Sequence, residues 1–347
     1  MDIDVVDSLD DVDADAFDRL DSSAGAAGCY ERTRQREADG RWRSRYLRAM
    51  DRGRLAAVVP LYTATGGTWP DPAYDPGTWG LPDGAAGDCA VERSLLVGGY
   101  ADLRTGLPVD ADLLDGPGLR GLLAPIARLA AAEDRCLVFP YVYPRARHAL
   151  DRACDGAIAW TVLGREAHIR GVSEPGWEAA QRKPVRYNLR HDRALIAEAG
   201  LRVGILSWPQ AEKPASQLIA EHNLRKGRPD HPEFVRMRNQ QWNSCASVEF
   251  TVFAGRAGPA AGFVTGWVWR DELEIYEIGL RGEEGPQRFA LYLDLVFHQP
   301  IRFAQERGLR GIRLGPAAER AKAGRGADFE DLYGGVLNAR ETRRLAG

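Results

Sequence analysis

Three extended runs follow one another between residues 247 and 280: SVEFTVFAG (247–255), AAGFVTGWVW (260–269) and ELEIYEIGL (272–280). Tight turns at Gly258 and Asp271 join them. Links this short connect antiparallel neighbours in one sheet. A long apolar-periodic run follows, PQRFALYLDLVFHQPIRFAQERG (286–308), which reads as a helix with a kink or break at Pro300. A short strand GIRLG (311–315), a helical turn ERAKAGRG (319–326) and a last strand FEDLYGGVL (329–337) complete this half.

Upstream, Pro184 suits the first turn of a helix that runs to Ala199 and stops at Gly200. LRVGILS (201–207) is a strand, and 215–227 and 232–245 are helices. The order in the second half is β-α-α-β-β-β-α-β-α-β, a mixed sheet flanked by helices and therefore an α/β fold. The first half is a thinner version. It has strands at 53–62, 91–99, 136–143 and 157–164, helices at 118–134 and 146–154, and a Gly, Pro and Trp-rich loop at 63–87. Two related domains are expected, residues 1–164 and 165–347.

The chain has 347 residues, 44% apolar and 27% charged, with a net charge of −3. That excludes a generally basic nucleic-acid binder, so any such contact must be local. No run of eighteen apolar residues is present, so no membrane span is expected. The acidic start MDIDVVDSLDDVDADAFDRLD lacks the basic, then apolar, pattern of a signal peptide, and the expectation is a cytoplasmic protein. Cys29, Cys89, Cys136, Cys154 and Cys245 have no zinc spacing, so buried thiols and no metal site are expected. Lysine occurs only as Lys183, Lys213, Lys226 and Lys322.

Two basic clusters stand out. In QRKPVRYNLRHDRALIAEAG (181–200), Val185, Leu189 and Ile196 share a helix face. Arg186, Arg190 and Arg193 form the adjacent stripe, and Arg182 and Lys183 add charge at its start. These arginines either snorkel from the core edge with acids such as Asp192, or form a ridge for phosphates. In ERAKAGRGAD (319–328), Glu319, Lys322 and Arg325 share a helical face. They form either an ion pair before a Gly326 cap, or a binding pair in Lys322 and Arg325.

The element order, with RYNLRHDRALIAEAGLRV, ALYLDLVFHQPIRFAQERGLRGIRLGP and ERAKAGRGAD, resembles the GNAT acyltransferase fold and, within it, the double-domain Fem-type proteins of peptidoglycan and natural-product pathways. The likeness is clearest over 165–337. It implies two tandem GNAT-like domains, the first degenerate, the second carrying the active cleft where two strands splay. It implies direct transfer of an acyl group to an amine, with no permanently bound cofactor.

The resemblance leaves two donors, aminoacyl-tRNA and acyl-CoA. The stretch GLRGEEGPQRF (279–289) departs from the glycine spacing that cradles the CoA pyrophosphate, and Glu283 and Glu284 oppose an anion there. The expected donor is therefore aminoacyl-tRNA. Arg186, Arg190, Arg193 and Lys183 would hold its acceptor end, Lys322 and Arg325 would stand at the cleft mouth, and a small amine-bearing molecule or peptide would accept the group. A third reading is a non-catalytic fold that only binds tRNA or a partner.

Amide formation needs a proton acceptor for the amine and a donor for the oxyanion. On the strand at 272–280, alternation puts Glu274, Tyr276 and Ile278 on one side and Ile275, Glu277 and Gly279 on the other. On the long helix, Asp294 and His298 lie four apart, a spacing that lets a carboxylate orient an imidazole. Glu277 or the Asp294–His298 pair is the candidate base, and Tyr276 the candidate donor. Each has a bland alternative, in the core or at the solvent face. Trp79, with Trp69 and Tyr74, either lines an acceptor cleft or packs a surface loop.

Overall fold

A computed structural model describes the chain except for residues 21, 22, 83, 87, 88, 259, 283 and 284, and except for the side chain of residue 260. Along the chain come β1 (Asp2–Val6), β2 (Trp42–Asp51), β3 (Arg54–Ala64), β4 (Ser94–Val97), α1 (Leu119–Ala132), β5 (Cys136–Val142), α2 (Pro144–Ala153) and β6 (Ala159–Arg170). Then follow α3 (Lys183–Glu198), β7 (Arg202–Leu206), α4 (Trp208–Arg225), α5 (Pro232–Asn243), β8 (Glu249–Ala257), β9 (Ala260–Trp269) and β10 (Glu272–Arg281). The chain ends with α6 (Pro286–Leu293), a π-turn (Asp294–His298), α7 (Gln299–Glu306), β11 (Gly311–Gly315), α8 (Glu319–Ala323), β12 (Asp328–Leu337) and α9 (Ala339–Ala346).

The contacts divide the chain into two compact units, residues 1–164 with 331–347, and residues 165–330. The tail after 330 thus groups with the first unit, not with the domain 165–347 read from the sequence. The reason is apolar burial: Leu337 of β12 and Leu345 of α9 enter the first unit's core beside Leu122 and Ile126 of α1.

The first unit orders its strands β1-β2-β3-β4-β5-β12, with β4 and β5 parallel and the other pairs antiparallel. β1 and β2 have no counterpart in the sequence reading. The arginines of WRSRYLRAMD mask a strand whose Tyr46, Leu47 and Ala49 are fully buried. In the stretch expected to be a loop at 63–87, Tyr74 and Trp79 pack inward. Tyr74 and Trp79 lie in an apolar cluster with Trp42, Tyr62 and Tyr100, and the Trp79 Nε1 donates to the Ala73 carbonyl at 3.0 Å.

The second unit orders its strands β6-β11-β10-β9-β8-β7, with only β10 and β11 parallel. One face packs on α3, α6 and α7, through Val185, Leu189, Leu291, Leu295 and Phe303 against Phe253, Val264 and Leu273. The other face packs on α4 and α5, through Trp208, Ile219 and Val235 against Val252. Gly262 lets the long helix sit close, since a Cβ there would lie 2.8 Å from Leu295. Pro300 does not break the helix. It falls in the first turn of α7, directly after the π-turn, where its missing N–H is tolerated. All five cysteines are buried and form no disulfide. Among the described residues, no helix is long and apolar enough to cross a membrane.

Candidate active site

β10 and β11 pair only over Glu272–Glu274 and Gly311–Arg313. Beyond Glu274, β10 continues to Arg281 while β11 ends at Gly315, and the two strands fork. Parallel strands that separate expose backbone groups and side chains that a regular ladder would cover.

The open arm of β10 is bulged. Ile275 faces Gly266 and Ile278 faces Val264, so three steps on β10 match two on β9. Tyr276 and Glu277 together oppose Thr265, whose Oγ1 accepts from the Glu277 N–H at 3.3 Å. The strict alternation read from the sequence therefore fails at this point. Both side chains point to the α4–α5 face. Tyr276 packs against Trp267 and Trp242, with ring centroids 5.0 and 6.3 Å away. The Glu277 carboxylate accepts from Arg238 at 2.7 Å and from Asn239 at 2.6 Å, both on α5. Burial raises its pKa above the ordinary value, although Arg238 and Asn239 pull it down. Arg238 is steadied in turn by Asp230 at 2.7 Å. Gly279 admits α4, since a Cβ there would lie 2.6 Å from the Ile219 nitrogen.

Asp294 and His298 lie on the other side of the sheet, with α3, α6 and α7, so the four residues read as one catalytic set are divided between its two faces. Nor do Asp294 and His298 pair with each other. In the π-turn, alignment shifts from i+4 to i+5, and Asp294 accepts from Gln299 Nε2 at 2.9 Å. His298 Nε2 lies 3.4 Å from Asp192.

Asp192 is the residue that sequence reasoning misplaced. Val185, Leu189, Asp192 and Ile196 follow a spacing that carries Asp192 onto the buried face of α3, away from the arginine stripe. There Arg325 holds it with two hydrogen bonds, of 2.7 and 2.8 Å. Burial opposes its charge, but His298 and Arg325 keep the carboxyl below its ordinary pKa.

Lys322 is buried and donates to the carbonyls of Leu314, Gly315 and Pro316 at 2.7 to 2.8 Å, and burial lowers its pKa to about 8. It clamps the turn in which Gly315, Ala317 and Ala318 all have positive φ. Its expected partner Glu319 instead meets Arg165 at 3.2 Å. Arg186 donates to the carbonyls of Ala179 and Gln181, and Arg193 pairs with Glu178. Arg190 and Lys183 are exposed. Arg186 and Arg190 line an open cavity of about 430 Å3 beside Glu174 and Glu178.

A denser cationic region lies outside both basic clusters of the sequence. His222, buried near the end of α4, has its pKa lowered to about 4 by burial and then by Arg225, Lys226, Arg288 and Arg228. Arg225 donates to the Leu280 carbonyl at the end of β10, and Arg288 is in the first turn of α6. Exposed Leu224 and Phe289 interleave with these cations. Nearby, Arg202, Arg256 and Arg281 line a cavity of about 330 Å3, and Arg202 and Arg256 are direct cross-strand neighbours. The signal was scattered over α4, α6 and three strand ends, so no single stretch displayed it. The opposing Glu283 and Glu284 lie outside the described residues.

No family model matches the sequence, and no curated protein does. Solved structures do. FemX is 10% identical and aligns over 99% of this chain and 100% of its own, with a TM-score of 0.65. A tandem GNAT protein from the clavulanic acid biosynthesis pathway is 13% identical over 96% of this chain and 98% of its own, with a TM-score of 0.51. The fold is a tandem GNAT-like fold. A conserved protein of unknown function from Bacteroides thetaiotaomicron, 10% identical, aligns over 97% of this chain and 100% of its own with a TM-score of 0.58.

Proposed function

We propose that the second unit transfers an aminoacyl group from aminoacyl-tRNA to the amine of a small metabolite or peptide. The observation that carries this reading is the bulge in β10, which brings Tyr276 and Glu277 to one face on the open arm of the fork. A buried carboxylate with a raised pKa is suited to take a proton near neutral pH. In the proposed step the amine nitrogen forms the new C–N bond and the ester C–O bond breaks. Glu277 takes the proton lost by nitrogen and returns it to the leaving ribose oxygen, so the carboxylate is restored. The Tyr276 hydroxyl donates to the oxyanion while the negative charge is on it. Asp294 and His298, on the far face, have no part in this step.

The donor assignment rests on charge. Arg225, Lys226, Arg228 and Arg288 surround His222, and Arg202, Arg256 and Arg281 line a second basic cavity. Two basic regions with exposed Phe289 and Leu224 among them suit a nucleic-acid strand, which offers phosphates at intervals and bases to stack. Pro286 at the start of α6 removes one of the N–H groups that a compact pyrophosphate would use. FemX, of the same fold, is the kind of protein in which the resemblance implies this donor.

The test is a matched donor assay with charged total tRNA and with acetyl-CoA, each with a panel of amines. Transfer from tRNA, with binding that weakens as salt rises and is lost in the Arg225→Gln/Lys226→Gln/Arg228→Gln variant, is the expected result. Tight acetyl-CoA binding and transfer, with no tRNA binding, overturns the donor and makes the protein an acyl-CoA-dependent N-acyltransferase. Binding of tRNA with no transfer to any amine supports a binding role alone.

A further inference from the structure

On the sheet face opposite Glu277 lies a cavity of about 530 Å3, a size common for small-molecule sites. The π-turn forms one wall. Such turns are rare and are frequent at functional sites. Here the turn directs Asp294 into the cavity. Asp294 is only 3% exposed, and Gln299 is its one hydrogen-bond partner among the described residues, at Oδ2. Oδ1 has no hydrogen bond among them. Arg302, exposed on the next turn of the helix, donates to the Oε1 of the same Gln299. One carboxamide thus separates a buried carboxyl from a guanidinium.

The rest of the wall is aliphatic, from Ile196, Leu201, Val203 and Ile301. Glu178 and Arg193, at 2.6 Å, neutralise each other where they line the cavity. His298 completes it and leans on Asp192. A simple cation entering here would meet Arg302, and a simple anion would meet Asp294. A molecule with both charged groups on one carbon and a branched apolar body satisfies all three surfaces at once.

We propose that this cavity binds a free aliphatic α-amino acid as its zwitterion, with the ammonium on Asp294, the carboxylate on Arg302 and the side chain against Ile196, Leu201, Val203 and Ile301. Burial raises the Asp294 carboxyl above its ordinary pKa, as expected of a carboxyl that waits for a cation. The sheet stands between this cavity and Glu277, so it is a binding site and not the place of bond formation. The proposal is independent of the donor and of the transfer reaction.

The experiment is calorimetry on the full chain at neutral pH with L-leucine and two truncated probes. Isoamylamine lacks the carboxylate, and 4-methylpentanoate lacks the ammonium. The expected result is saturable leucine binding at one site, with each probe at least about tenfold weaker, the scale of losing one charged hydrogen bond. Asp294→Asn and Arg302→Gln should each weaken leucine by a similar factor. Arg302 is exposed, so its variant remains informative even if Asp294→Asn fails to fold. No saturable heat with leucine, leucine binding no tighter than either probe, or unchanged affinity in the folded variants overturns the proposal.

Discussion

Glu277 sits between two opposing influences. Burial favours its protonated form, while Arg238 and Asn239 favour the carboxylate. The net direction is upward, so the carboxylate, the form that can accept a proton, is lost at a higher pH than in an exposed glutamate. Glu277→Gln is expected to lower the transfer rate by roughly 10²- to 10⁴-fold with the fold intact, read by amine acylation and by thermal midpoint. Arg238→Gln removes a group that lowers the Glu277 pKa, so the acid limb of the rate profile should move to higher pH. If that limb stays in place, Glu277 is not the titrating base. Arg238 is a positioning residue here, and the pH profile separates that role from simple support.

Two elements of the second unit each carry a shift of one residue in phase, and both shifts have consequences. The bulge in β10 turns Glu277 to the side of Tyr276. The π-turn between α6 and α7 turns Asp294 toward Gln299 and away from His298. Each element is held in place by close packing. α4 lies against Gly279, where a Cβ would meet the backbone of Leu218 and Ile219 at 2.7 and 2.6 Å. Backbone cannot yield as a flexible side chain does, so Gly279→Ala should cost about 1–3 kcal/mol in a urea melt. Gly204, on β7, has open space around its Cβ direction, and Gly204→Ala is the matched control, expected near neutral. Equal effects of the two would show that α4 does not depend on the close approach.

At the scale of the molecule, the net charge of −3 hides strong local differences. If the cations around His222 meet phosphates, the slope of log affinity against log salt for tRNA should fall by about 0.7–0.9 for each of Arg225, Lys226 and Arg228 changed to Gln. An unchanged slope would move the contact elsewhere, for example to Arg190 and Lys183. Acid should also act on both units. His222 has a folded pKa of about 4, below the 6.5 of an ordinary imidazole. The unfolded chain therefore binds its proton first, and the stability present above pH 6.5 is lost as pH falls toward 4, by up to about 3 kcal/mol. In the first unit, burial opposes the Asp102 charge, but Arg32 and Arg36 hold its pKa far below the ordinary value. Its contribution is present above about pH 4 and disappears as pH falls further. Denaturant melts from pH 7 to pH 3 should show two successive losses. His222→Gln should remove the first and Asp102→Asn the second.

The order of strands and helices, the mixed sheet and the buried faces of α3 were legible in the sequence, because periods of 2 and 3.6 are local properties that a chain shows wherever it folds. Val185 and Leu189 were placed correctly on that basis. β2 was not, since its arginines hide the alternation. The partners of the charged groups were also beyond reach. Asp192 meets residues 106 and 133 positions away, His298 and Arg325, and only the packing of α3 against the rest of the second unit brings them together. The sequence by itself determined which elements exist and which residues could do chemistry. The tertiary structure decided which of those residues share a face, because a bulge or a π-turn changes the phase of everything beyond it by one residue and leaves almost no mark in composition.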